Sequence, residues 1–237
     1  MSSKKLQKNT EVNILDIFRR IDFFSDLDEA ALNKFAQIAT LQNFQHEETI
    51  MLAGDARRAI FFITKGQAKV FSDSKNSRNS ILNLLGIGDF FGEIQLFNES
   101  GKSFISVKAE EECSIIIFKG KDFINEIATN QKLFVTFLKE TTQKLNKAYM
   151  QISSLSMSTI KERIKSCLMQ FIEERGIKVA HNNGTVVKLK NRPTQQQLAE
   201  MSGTTRETVN RELAALVKSG YIELDGKDLF LLKDFPA

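Results

Sequence analysis

Arg206, Glu207 and Arg211 are the residues here whose types and spacing best suit a specific chemistry. An arginine fork matches the O6 and N7 acceptors of guanine, and a glutamate accepts from cytosine N4. Thr205 and Asn210 lie beside them in sequence, and Thr194 and Gln195 lie about a dozen residues earlier. A plainer reading exists: Glu and Arg four apart on a helix commonly pair with each other.

The elements that must position these residues favour the first reading. Residues 195–201 form a short helical pattern carrying Leu198 and Ala199. Gly203 suits a tight turn at positive φ. Thr204 as N-cap and Glu207 at N3 then make a capping box that opens a second helix. Its apolar positions Val209, Leu213, Leu216 and Val217 fall at i, i+4, i+7 and i+8, one helical face. Ala199, Gly203 and Val209 thus have helix-turn-helix spacing: a small residue at the crossing, a bend, and a buried branch. Glu207, Arg211 and Lys218 fall opposite Val209, with Arg206 at the flank of the first turn. A recognition helix presents its N-terminal residues to base edges in the major groove.

Composition agrees. The 237 residues suffice for one large or two small domains, with 42% hydrophobic and 26% charged residues and a net charge of +4. From Ser158 onward there are 13 Lys and Arg against 10 Asp and Glu, a net +3; the rest has 20 against 19. The positive excess therefore sits with the candidate DNA reader. Cys113 and Cys167 lie in apolar patterns without a Cys-x-x-Cys, as expected of buried reduced thiols in a cytoplasmic protein. No apolar run approaches a membrane span, so no membrane partner is expected. The basic start, Lys4, Lys5 and Lys8, lacks the apolar core of a signal peptide and reads as a frayed tail.

Residues 14–40 have a helical pattern, with Asp28 placed to cap Leu32, Phe35, Ala36 and Ala39 on one stripe. Short apolar runs follow at 49–52, 60–64, 68–71, 80–85, 104–107 and 114–118. Turn signals separate them at Gly54-Asp55, Lys65-Gly66, 73–76, 86–88 and Gly101. This texture indicates an all-β barrel or jelly roll. Within it, Gly92 and Glu93 open a short helical turn. Free backbone N–H groups there suit a phosphate, and the carboxylate suits a sugar hydroxyl. A bend between strands would look the same. A long helix is expected over about 121–156, where Phe134, Leu138, Thr141, Leu145, Ala148, Ile152 and Leu155 alternate by four and three, a heptad seam. Lys139, Lys144 and Lys147 lie off the seam, which favours a second copy of this helix over packing on its own barrel. Residues 158–175 give another helix, 181–184 a turn and 185–189 a strand. After Gly220, Asp225-Gly226 between apolar runs is a hairpin signal. The expected fold is α+β: a β-roll sensor over 1–120, a dimerisation helix over 121–157 and a winged helix-turn-helix over 158–237.

This order resembles the bacterial regulators related to the cyclic-AMP receptor protein and the fumarate-nitrate regulator, the CRP/FNR family. The matching stretches are Phe23-Phe24-Ser25-Asp26-Leu27, Gly54-Asp55, Ile63-Thr64-Lys65-Gly66, Gly88-Asp89-Phe90-Phe91-Gly92-Glu93, Leu96-Phe97 and Thr205-Arg206-Glu207-Thr208-Val209-Asn210-Arg211. The resemblance implies a homodimeric transcription regulator, with double-stranded DNA and RNA polymerase as partners. Arg206, Glu207 and Arg211 match its base-reading positions, and Thr194 and Gln195 match positions that touch phosphates. Half-sites like TGTGA are implied.

The ligand contacts of the family do not carry over. Cyclic-AMP binders place Arg-Ser ten residues after the Glu; here the pair is Ser103-Phe104. Lys102 is adjacent, but strand alternation turns it to the other face. A buried phosphate without a cation is costly. The family's Thr-Ser pair on the dimer helix corresponds to Ala148-Tyr149. Gly92, Glu93, Ser103, Phe104, Ala148 and Tyr149 therefore form the candidate effector pocket, and cyclic AMP is not its expected occupant. The iron–sulfur branch needs N-terminal cysteines, and residues 1–40 have none. Haem would have only His46 in the sensor domain, and a lone loop histidine is usually a surface residue. The cofactor is thus left unknown and no metal is expected. Two classes of function stand: a DNA-binding regulator gated by another effector or active without one, or a receptor for cyclic AMP, cyclic GMP or cyclic di-GMP whose helix-turn-helix is an interaction module. The intact reading face favours the first. No paired catalytic constellation supports an enzyme.

Overall fold

A computed structural model describes residues 13–72, 80–99, 102–157, 159–181 and 184–235, the side chains of 80 and 154–157 excepted. The chain divides into two compact units, Met1–Val70 with Leu84–Thr142 and Phe71–Asn83 with Gln143–Ala237.

The first unit is built on a β-roll. Its strands are β1 (Ala39–Phe44), β2 (Thr49–Met51), β3 (Ala59–Lys65), β4 (Ala68–Ser72), β5 (Ser80–Leu85), β6 (Phe90–Phe91), β7 (Ser106–Ala109) and β8 (Cys113–Lys119). They form two four-stranded sheets, ordered β1-β8-β3-β6 and β2-β7-β4-β5. The boundary between the units runs through β4 and β5. The near-continuous apolar run of β3 has a cause, since both of its faces are buried. Ala59, Phe61 and Ile63 pack inside the roll with Phe44, Val70, Phe91, Val107 and Ile115. Ile60 and Phe62 face the other way, into a phenylalanine-rich core shared with the helices.

Those helices are α1 (Ile14–Phe18), α2 (Glu29–Ile38) and α4 (Gly120–Thr129), with a 3-10 turn over Asp22–Phe24; a short α3 (Glu93–Phe97) follows β6. Phe23 and Phe24 lie with ring centroids 4.9 and 5.0 Å from Phe62. Tilted and edge contacts of this kind favour aromatic rings beyond simple burial. Asp28 caps α2 as its spacing predicts, accepting from Ala31 N at 2.8 Å. The helical stripe, however, ends at Ile38. Ala39 opens β1 and pairs with Phe118 of β8.

The long helix is two helices. α4 ends at Thr129, and Asn130 leaves helical geometry at φ −120°, ψ 97°. Its Oδ1 accepts from Leu133 N at 3.1 Å and starts α5 (Gln131–Met157). Asn competes for local backbone donors and so favours caps over helix interiors. Residues 121–157 are therefore not one continuous helix. Phe123 and Ile127 of α4, with Leu133 and Phe137 of α5, complete the core of the β-roll unit.

The second unit contains α6 (Ile160–Arg175), α7 (Gln195–Ser202), α8 (Arg206–Lys218) and a sheet ordered β11-β12-β10-β9, comprising β9 (Ile177–His181), β10 (Gly184–Leu189), β11 (Ile222–Asp225) and β12 (Asp228–Leu231). Thr159 caps α6 through a capping box with Glu162. Gly226, at φ 56°, closes the Asp-Gly hairpin in which Asp225 pairs with Asp228. The Asn182-Asn183 turn, the 73–76 turn and Gly101 lie outside the described residues.

Candidate nucleic-acid interface and effector site

Thr194 caps α7, accepting from Gln197 N at 3.2 Å while Gln197 Oε1 accepts from Thr194 N at 2.7 Å. Leu198 and Ala199 are buried beneath this turn. Gly203 then takes φ 63°, ψ 42°, its N–H returning to the Ala199 carbonyl. A left-handed residue closing a helix is most easily a glycine. The second helix starts one residue later than its capping pattern suggests. Thr205 is the N-cap, accepting from Thr208 N at 3.3 Å, and Thr208 occupies N3. Thr204 instead donates its N–H to the Ala199 carbonyl, so the Thr204–Glu207 capping box does not form. Val209, Leu213 and Leu216 are buried, as the periodicity requires, whereas Val217, the fourth residue of that stripe, is exposed.

The opposite face is open. Thr205, Arg206, Glu207, Asn210, Arg211 and Lys218 are all exposed. Gln195 bridges the two helices: its Nε2 donates to Asn210 Oδ1 at 3.0 Å, and its Oε1 lies 3.5 Å from Arg206 Nε. Glu207 accepts hydrogen bonds from its own N–H and from Thr205, which holds its carboxyl below the usual carboxylate range. It thus stays ionised to lower pH than a free glutamate. No ion pair joins Glu207 to Arg211 among those described, so both stand ready for another partner. Two cationic forks with a carboxylate between them are donors and an acceptor of the kind that pair with base edges.

In the β-roll, Gly92 precedes α3 at φ 98°. A Cβ there would lie 2.3 Å from the Ala59 carbonyl oxygen. Gly92→Ala is expected to cost at least about 1–3 kcal/mol, from the forbidden φ alone, read as a lowered Tm by circular dichroism. Glu93 is half-buried in the first turn of α3. Ser103 is buried, but its Oγ turns back, donating to the Ile105 carbonyl at 2.6 Å. Phe104 corrects the sequence reading. Residues 102–105 are not a strand, β7 begins only at Ser106, and the ring is 72% exposed, so it fills no pocket. Ala148 and Tyr149 are exposed on α5.

Arg57 and Gln95, which carry no motif, knit this region together with Asp55 of the Gly54-Asp55 stretch. Asp55's carbonyl accepts from Ser103 N at 3.0 Å and from Gln95 Nε2 at 3.1 Å. Asp55's carboxylate takes Arg57 Nε at 2.9 Å, and Arg57 also donates to the Ile50 carbonyl. Arg57 lies 5.9 Å from the centroid of the Phe61 ring, and that ring stacks on Phe91 at 4.8 Å. Gln95 is 1% exposed and its Oε1 has no hydrogen-bond partner. His46, exposed, places Nδ1 2.7 Å from the Glu110 carbonyl. Cys113 is buried and donates to the Gln67 carbonyl, and burial raises its pKa as it does that of half-buried Cys167.

On α5, Leu133 and Phe137 turn inward, whereas Phe134, Leu138, Leu145, Ala148 and Ile152 are exposed and Thr141 is half-buried. Leu155 falls among the side chains not described.

Residues 41–130 match the cyclic nucleotide-binding domain, and residues 162–237 match the Crp-like helix-turn-helix domain. The chain belongs to the CRP/FNR family. It is 26% identical over 201 residues to the cAMP-activated global transcriptional regulator CRP of Haemophilus influenzae, covering 85% of this chain and 88% of that protein. It is 25% identical over 201 residues to the cAMP-activated regulator Vfr of Pseudomonas aeruginosa, covering 84% and 92%. Among solved structures, a CooA variant from Carboxydothermus hydrogenoformans shares the fold at a TM-score of 0.71 and 21% identity, covering 95% of this chain and 93% of that one. The c-di-GMP responsive regulator CLP of Xanthomonas campestris does so at 0.67 and 20%, covering 87% and 100%. This CRP/FNR-family chain is accordingly a transcription regulator with a cyclic-nucleotide-type sensor and a DNA-binding helix-turn-helix, and its relatives are regulators rather than enzymes. No helix among the described residues is long and apolar enough to cross a membrane.

Proposed function

We propose that the protein is a homodimeric, sequence-specific regulator that reads palindromic TGTGA-like half-sites, is gated by an effector other than cyclic AMP or active without one, and works with RNA polymerase in the cytoplasm. The observation that carries this reading is the exposed face of α8, where Arg206, Glu207, Asn210 and Arg211 stand clear of the buried stripe. Arg206, Glu207 and Arg211 read bases; Thr194, Gln195 and Thr205 approach the backbone. Electrophoretic retardation of a palindromic TGTGA probe against a scrambled probe of equal composition tests it. Tight retardation of the first alone supports the reading, and equal retardation contradicts it.

The effector half of the proposal rests on the β-roll. The position of the phosphate-neutralising arginine is Ser103, whose hydroxyl is turned to Ile105. The cation held near it, Arg57, is already paired with Asp55 and bonded to the Ile50 carbonyl. A phosphate buried there would have to break that pair or go uncompensated. Cyclic AMP is expected to bind more weakly than about 100 μM, an affinity below roughly 5.5 kcal/mol. Isothermal calorimetry checks this; micromolar binding with a matching rise in DNA affinity would mean that Arg57 or Lys102 supplies the missing charge. The c-di-GMP responsive regulator CLP keeps the same fold.

A further inference from the structure

Gln195 opens α7 half-buried, and its side chain crosses to the exposed face of α8. Its Nε2 donates to Asn210 Oδ1 at 3.0 Å, and its Oε1 faces Arg206 Nε at 3.5 Å. Arg206 and Asn210 stand four apart on α8, so they are neighbours on one stripe of that face. One amide therefore reaches both. The next stripe, Glu207 and Arg211, has no described hydrogen bond to α7.

Charge decides the sense of this relay. A guanidinium has donors only, so Gln195 must turn its oxygen to Arg206 and its nitrogen to Asn210. Asn210 must then answer with Oδ1. Turned over, its Nδ2 would meet Gln195 Nε2, donor against donor. An asparagine amide carries two lone pairs on oxygen and two N–H donors. Gln195 takes one lone pair, and no other described group bonds the Asn210 side chain, which leaves one lone pair and both donors for a partner in the groove. An acceptor beside a donor on one planar amide matches N6–H and N7 of adenine. Guanine shows two acceptors at that edge, N7 and O6, and would leave the Asn210 lone pair unmet.

We propose that Gln195 is a positioning residue for base reading: its amide fixes Asn210 to pair with an adenine of the half-site. This rests on the reading of α8 as the recognition helix. Thr194 caps α7 and anchors the backbone at Gln195, so the amide reaches Asn210 from a fixed origin. The turned-over form of Asn210 is excluded before the duplex arrives, and a group already held in its bound orientation loses less freedom on binding.

The test uses the full chain and a panel of palindromic TGTGA duplexes, each with one base pair of the half-site changed, at one fixed salt concentration. Ratios of affinity across the panel are the readout. Asn210→Ala is expected to lose preference at one A·T pair by roughly 5- to 150-fold, with the guanine preferences kept. Gln195→Glu keeps the side-chain length and the acceptor for Arg206 but has no N–H for Asn210. It is expected to lower preference at that same pair, and to lower it no further when combined with Asn210→Ala. A merely structural or phosphate-contacting role would weaken all duplexes alike and leave the ratios unchanged. Equal ratios in wild type and Asn210→Ala, a loss at a G·C pair instead, or full A·T preference in Gln195→Glu overturns the proposal. If Arg206→Ala still relaxes a guanine in that case, α8 remains the reader; a wild-type protein with no preference across the panel takes down both readings.

Discussion

The double variant Leu145→Asp, Ile152→Asp is expected to sediment as a monomer and to lose operator binding in the same step. Leu145 and Ile152 are 53% and 60% exposed in the single chain, and they continue the four-three alternation that runs through Phe134, Leu138, Thr141 and Ala148. The inward residues of the same helix are different ones, Leu133 and Phe137. An apolar seam distinct from the face packed on its own unit needs another surface, and a heptad seam fits a second copy of itself. Burying a leucine or isoleucine is worth about 1.5–3 kcal/mol. Each substitution forfeits that twice in a two-fold interface and adds like charges across it. Because the changed positions are exposed, the monomer keeps its folded circular dichroism spectrum. Sedimentation velocity and probe retardation check the outcome together; a double variant that remains dimeric places the interface elsewhere.

Arg206→Ala is expected to cost about 1–3 kcal/mol of specific binding and to relax the preference at one guanine. That is roughly a 5- to 150-fold weakening at fixed salt. The side chain is exposed and its nearest polar neighbour is Gln195 Oε1 at 3.5 Å, so fold stability is expected to change little. A lysine elsewhere on the backbone contact would weaken all sequences alike; loss of Arg206 weakens the right sequence most. Titration of probes altered at each half-site position separates the two patterns. Unchanged affinity together with unchanged base preference would remove Arg206 from the reading face.

Local patterns in the sequence carried far where a single element decides its own geometry. Asp28 caps α2, Gly203 bends at positive φ and Asp225-Gly226 turns a hairpin, each because the residue type answers a local backbone demand. Patterns failed where distant partners decide. Ala39 continues the stripe of α2 on paper, yet pairing with Phe118 draws it into β1, whose weak alternation gives little sign of a strand. The break at Asn130 is hidden because Phe123, Ile127, Leu133 and Phe137 remain apolar on both sides of it. Thr204 and Thr205 are equivalent caps by type, and only the bond from Thr204 N to Ala199 tells which one is free. An extended strand through 104–107 would place Phe104 in the roll, but the chain is irregular until β7 begins at Ser106. Asp55 and Arg57 pair two residues apart, but Gln95 reaches the Asp55 carbonyl from forty residues away, and no spacing betrays that.

The central claim, that this chain recognises a DNA sequence through α8, is tested most directly by one competition measurement. A labelled palindromic TGTGA probe bound by the purified protein is challenged with the same duplex carrying both guanines of each half-site replaced, at one fixed salt concentration. The altered duplex is expected to compete at least about 10³-fold more weakly, the low end of specific over non-specific binding. Equal competition by the two duplexes would contradict it.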